Sequence, residues 1–174
     1  MKLIELARKT LEYYFADEKF DPDAKTKEKC SEKKASFVTL TEDGTLRGCI
    51  GSLVAHQPLW KDVQENTIKA AFSDPRFPPL SKEELNKIKI EVSVLSNPKH
   101  LEYKDEKDLL KKLNNKMGLI LEKWGHTATF LPQVWEQISN KVEFLEQLSL
   151  KAGLNKDAWR DANYKYYTVK EYHE

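Results

Sequence analysis

Leu46-Arg47-Gly48-Cys49-Ile50-Gly51 places a lone thiol and a scarce guanidinium between two glycines. A thiolate is a nucleophile, and a neighbouring cation raises the thiolate fraction at neutral pH. Cys49 is therefore a candidate nucleophile or ligand contact, and Arg47 is the cation nearest to it in sequence. Gly48 and Gly51 carry no side chain, which lets a ligand or partner come close to the backbone beside Cys49. Arg47 and Cys49, two apart on a strand, share a face unless a bulge at Gly48 intervenes. The alternative for Cys49 is a small hydrophobe packed in a sheet.

Of the 29 basic residues only Arg8, Arg47, Arg76 and Arg160 are arginine. Arg76 lies in Ser73-Asp74-Pro75-Arg76-Phe77-Pro78-Pro79, a proline-stiffened loop that lowers the entropy of holding Asp74 and Arg76 in fixed directions. The two could pair with each other, cap the preceding helix, or bind an anionic ligand alongside Arg47. A cysteine nucleophile needs a base. Among His56, His100, His126 and His173 the preferred candidate is His126, with His56 as runner-up. Gln133 and Trp135, after Pro132, offer an amide and a flat face to a planar ligand, or Trp135 packs in the core.

Other chemistries lack their signatures. No Cys-x-x-Cys, His-x-His or His-Glu-x-x-His spacing indicates a metal site, and no Walker or dinucleotide glycine pattern specifies a cofactor. Gly48-Cys49-Ile50-Gly51 matches a nucleic-acid-clamping Gly-x-x-Gly only superficially, because it falls within a strand. With 29 basic and 28 acidic residues the net charge is +1, so no overall field favours nucleic acid or an anionic membrane. Apolar runs such as Met117 to Leu121 fall far short of the ~20 residues that span a bilayer, and the N-terminus lacks a signal peptide's apolar region. Together these point to a cytoplasmic location. Cys30 and Cys49 read as free thiols.

The elements that must carry these residues follow from periodicity. Leu3, Leu6, Ala7, Leu11, Tyr14 and Phe15 predict an amphipathic helix over 3 to 16. Residues 21–34, charged and without periodicity, read as a solvated, mobile connector. Strands are expected at 36–40 and 46–53 around an Asp43-Gly44 turn, and a helix begins at Pro58 with Trp60, Val63, Thr67 and Ala71 on one stripe. Ser81 and Glu84 predict a capping box for a short helix, and Ile88 to Val94 alternate as a strand. A helix is expected over 105–114 and strands at 118–122 and 127–131 around Trp124-Gly125-His126. Asn140 and Glu143 cap a last helix ending near Gly153, and 164–172 reads as one final strand. Without regular βαβ alternation this is an α+β fold around a mainly antiparallel sheet.

Several segments together closely resemble the AMMECR domain family, whose prokaryotic members are called AmmeMemoRadiSam system protein A. They are Phe37 to Leu40, Leu46 to Gly51, Ala71 to Leu80, Glu91 to Ser96, and Phe130 to Trp135. The resemblance covers nearly the whole chain as a single domain. It implies a larger and a smaller lobe, with the Arg-Gly-Cys segment near a cleft, and an association with a Memo-like protein and a radical S-adenosylmethionine protein. The family's activity is not established. The leading functional expectation is a small-molecule enzyme or enzyme component in which Cys49 acts as nucleophile or ligand contact and Arg47 and Arg76 orient an anionic ligand. The competing expectation is a non-catalytic adaptor whose motifs form a groove for a protein partner.

Overall fold

Asp43 and Gly44 both take the left-handed backbone, with φ of 49° and 77°. That geometry matches the right-handed twist of two flanking strands, and it folds β1 (Ser36–Glu42) back onto β2 (Thr45–Gly51). The structure, a computed structural model, describes residues 1–174. It comprises two compact units, the larger formed by Met1–Leu95 with Lys170–Glu174 and the smaller by Ser96–Val169. Both mix helices with a four-stranded sheet built on antiparallel pairings, which makes the chain α+β.

In the larger unit the sheet runs in the order β2-β1-β3-β8, with β3 at Ile88–Leu95 and β8 at Val169–His173. Helices α1 (Leu3–Phe15) and α3 (Leu59–Phe72) cover it. Leu6, Leu11, Val38, Leu40, Val63, Ile90 and Val92 form the core that these elements share. The stretch expected to be a mobile connector instead holds α2 (Ala24–Lys29). Asp23 caps it, accepting from the Thr26 backbone N–H at 2.8 Å and the Thr26 hydroxyl at 3.1 Å. The segment is anchored to the start of α3 by Leu59 N–H to Glu32 O (2.9 Å) and Trp60 N–H to Cys30 O (3.3 Å). Short polar helices of this kind are stabilised by caps and tertiary contacts rather than by periodicity.

In the smaller unit the order is β4-β7-β5-β6, with β4 at Lys99–His100, β5 at Gly118–Lys123, β6 at His126–Phe130 and β7 at Asn163–Tyr167. Helices α4 (Glu106–Lys112), α5 (Val134–Gln137) and α6 (Lys141–Lys151) and a 3-10 helix (Lys156–Asp161) complete it. Asn140 caps α6 through the N–H groups of Val142 and Glu143. Two further expectations are corrected. The single strand over 164–172 is two, β7 in one sheet and β8 in the other, divided at Thr168. Residues 82–87 form turns rather than a helix. Glu84 does accept from the Ser81 N–H at 2.7 Å, as a capping box requires, but it also binds Arg47. No helix is long and apolar enough to cross a membrane.

Candidate functional site

Cys49 sits on β2, an edge strand paired on one side only, with β1. Its register partner is Thr39, whose hydroxyl donates to the Cys49 sulfur at 3.3 Å. The outward N–H and C=O of an edge strand need other partners, and here the proline loop supplies them. The Asp74 carboxylate accepts the Cys49 N–H at 2.9 Å, and the Arg76 guanidinium donates to the Cys49 carbonyl at 3.3 Å. Asp74 and Arg76 are themselves joined as a fork, Nε to Oδ1 at 3.0 Å and Nη2 to Oδ2 at 2.7 Å, and the Arg76 N–H adds a fourth donor to the carboxylate. The Asp74 side chain is 2% exposed and the Arg76 side chain 54%. Donation from Arg76 and from the Cys49 and Arg76 N–H groups holds the Asp74 carboxyl well below the usual aspartate range, outweighing its burial. The proline loop thus pairs Asp74 with Arg76, and both also grip the backbone of Cys49.

Arg47 is the extra residue of a bulge. Leu40 pairs with Gly48 and Thr41 with Leu46, leaving Arg47 without a partner on β1. A bulge re-aims a side chain, and that of Arg47 turns to the loop. Its Nε and Nη2 bind the two oxygens of Glu84 at 2.6 and 3.1 Å, and Nη1 donates to the Pro78 carbonyl at 3.0 Å. Donation from Arg47 pulls the Glu84 carboxyl down to about 2. Arg47 is therefore occupied within the chain, and Arg76 is the arginine here with half its side chain in solvent.

The glycines have intramolecular reasons. A Cβ on Gly48 would collide with the Ala70 carbonyl oxygen of α3, and one on Gly51 would collide with the Phe37 ring. The close approach expected of a ligand is made at both positions by the chain itself. His126 belongs to the smaller unit as the first residue of β6, exposed, with Nδ1 2.9 Å from the Ala152 carbonyl. The runner-up, His56, is exposed with Nδ1 3.1 Å from the Val54 carbonyl. The group bonded to the thiol is Thr39. Gln133 stands at the start of α5 in the smaller unit. Trp135 is core: its ring stacks on Phe144 at 3.7 Å and its Nε1 donates to the Met117 carbonyl at 2.9 Å. Both cysteines are free, Cys30 buried and Cys49 half-buried.

Thr39, Glu84 and Asp62 are site-supporting residues that sequence reasoning missed. Asp62 of α3, fully buried, accepts from the Ser36 N–H (2.8 Å) and hydroxyl (2.7 Å), from the Asn66 amide (2.9 Å) and from the Ser52 hydroxyl (2.9 Å). It ties the residue after β2 to the helix, and these four donors, with the Gln57 amide as a fifth at 3.4 Å, replace the water that burial removes. The available signal was Asp62 and Asn66, four apart and flanked by the apolar stripe of α3.

Fold and site together define an α+β protein whose edge-strand thiol is held at its backbone by a carboxylate–guanidinium pair from a proline-rich loop. The chain belongs to the AMMECR1 family, which it matches over residues 4–172. It is 39% identical over 170 residues to Protein NEQ441 of Nanoarchaeum equitans, a span of 96% of this chain and 94% of that one. It is 40% identical over 162 residues to Protein Mbar_A1807 of Methanosarcina barkeri, covering 90% and 80%. Among solved structures it is similar to the uncharacterized protein PH0010 from Pyrococcus horikoshii, with a TM-score of 0.83 and 34% identity over 99% of this chain and 89% of that one.

Proposed function

We propose that this chain is a small-molecule enzyme or enzyme component in which the Cys49 thiol meets the ligand and Arg76 orients an anionic group on it. The supporting observation is the Asp74–Arg76 fork. A buried carboxylate fixes the backbone of one thiol-bearing residue and the direction of one guanidinium, while half of the Arg76 side chain stays open to solvent. Holding a reactive group and an anion-binding group in fixed relation is the arrangement that lowers the entropic cost of reaction. On this reading Arg47, Gly48 and Gly51 set the shape of the strand, and the pathway is the one the family resemblance implies, shared with Memo-like and radical S-adenosylmethionine proteins.

The test compares two alkylating agents that differ in charge. Iodoacetate, an anion, labels Cys49 faster relative to neutral iodoacetamide than it labels a free thiol. Arg76→Gln removes that preference and Arg76→Lys keeps part of it. A ratio equal to that of a free thiol, unchanged in Arg76→Gln, sinks the proposal. The adaptor reading is favoured by Leu53 and Val54, 45% and 72% exposed just after β2. It expects co-purification with a Memo-like protein that Val54→Asp abolishes, and no complex at micromolar concentration counts against it.

A further inference from the structure

Away from Cys49, the larger unit contains a groove of about 780 Å³ between the end of α1, the segment after it and the outer face of α3. That volume is in the range of small-molecule sites. Its apolar surface comes from Tyr14, Phe20, Trp60 and Ile68. Two features indicate what its aromatic faces accept. The ammonium of Lys27 lies over the Trp60 ring at 5.4 Å and is paired with Asp21 at 2.6 Å, and that of Lys9 lies over Phe20 at 5.9 Å. Ring faces carry negative charge density and attract such groups.

The polar lining agrees. The Gln64 amide nitrogen donates to the Phe20 carbonyl at 3.0 Å and to Thr10 Oγ1 at 3.3 Å, which fixes the amide and leaves its oxygen as an acceptor. Asp17 closes α1 with φ of 58°, the position where glycine is usual, and puts a carboxylate at the negative end of a helix. Both choices oppose helix stability. Neither Asp17 nor Glu18 forms an ion pair, so both carboxylates are open to a cation. Lysines line the groove too, Lys69 paired with Glu65 at 3.7 Å, and Lys19 and Lys61. Selection for a cation therefore rests on the aromatic corner rather than on net charge.

We propose that this groove binds a small organic ammonium ion, its head group at the wall formed by Trp60 and Asp21, where Lys27, outside the groove's lining, draws on the same ring and the same carboxylate. Lys27 is then an internal competitor. The experiment follows the indole N–H resonance of Trp60, assigned with Trp60→Phe, while the full-length protein is titrated with choline. The neutral control is 3,3-dimethylbutan-1-ol, the carbon isostere of choline, at matched ionic strength. Choline is expected to give a saturable shift in the millimolar range, at least about fivefold tighter than the alcohol. Lys27→Met, a surface change that leaves the core intact, tightens choline binding several-fold, and Asp21→Asn weakens it. Equal binding of alcohol and choline, no saturable shift, or choline affinity unchanged or lowered in Lys27→Met overturns the proposal.

Discussion

Replacing Asp74 by asparagine keeps the shape of the side chain and removes its charge. In the native site each carboxylate oxygen accepts two donors, Oδ1 from the Arg76 N–H and Nε, Oδ2 from the Cys49 N–H and Arg76 Nη2. Whichever oxygen becomes an amide nitrogen, two donors face a donor. One of these is a backbone N–H, whose loss of a partner costs about 1–3 kcal/mol. The other belongs to the guanidinium of a side chain that is half in solvent and can rehydrate, so its loss is discounted to about 1 kcal/mol. The total is about 2–4 kcal/mol, which for a chain of this size lowers Tm by roughly 5–15 °C. The pH dependence follows from the direction of the shift. The folded Asp74 carboxyl lies below its ordinary value of 3.8, so its contribution is complete above that pH and is lost as pH falls through the folded value. The gap between wild type and Asp74→Asn is therefore constant from pH 7 to about 5 and narrows below about 4. Chemical denaturation across that range measures it, and iodoacetamide labelling of Cys49, with buried Cys30 as internal reference, reports loosening of the clasp. A cost under about 0.5 kcal/mol at pH 7, or a gap that widens on acidification, refutes the reasoning.

Further predictions rest on neighbouring contacts. Glu84→Gln weakens the Arg47 fork by about 1–3 kcal/mol at pH 7. Because the Glu84 carboxyl is pulled down from 4.5 to about 2, that contribution is present above pH 4.5 and disappears towards pH 2, which acid titration of both proteins by circular dichroism detects. Gly48→Ala pushes a methyl group into the Ala70 carbonyl and costs more than about 2 kcal/mol. Gly44→Ala has open space around it but keeps φ at 77°, and costs only about 1 kcal/mol; equal urea midpoints for the two would contradict this. Trp135→Ala removes the stacked partner of Phe144 and strands the Met117 carbonyl, costing about 3–5 kcal/mol, measured by loss of near-ultraviolet dichroism on heating.

Elements specified by their own residues were legible in the chain. Asp43-Gly44 fixed a hairpin, the alternation from Ile88 to Val94 a strand, and Asn140 the start of α6, because turn chemistry, side-chain period and caps act within a few residues. The pairing of Asp74 with Arg76 was one of three arrangements that two residues so close in a stiff loop allowed, and the structure shows it. What needed the tertiary structure was every choice made between distant segments. Glu84 satisfies the capping pattern with Ser81 and also binds Arg47, 37 positions away, while residues 82–87 form turns. Gly48 and Gly51 leave space that α3 and Phe37 fill, and the bulge at Arg47 turns its side chain to the loop. The groove at Trp60 unites three segments with no shared motif. Local geometry is encoded over a turn or a pleat, whereas a charge, a glycine or an aromatic face finds its partner only when burial brings remote chain together and leaves no water to compete.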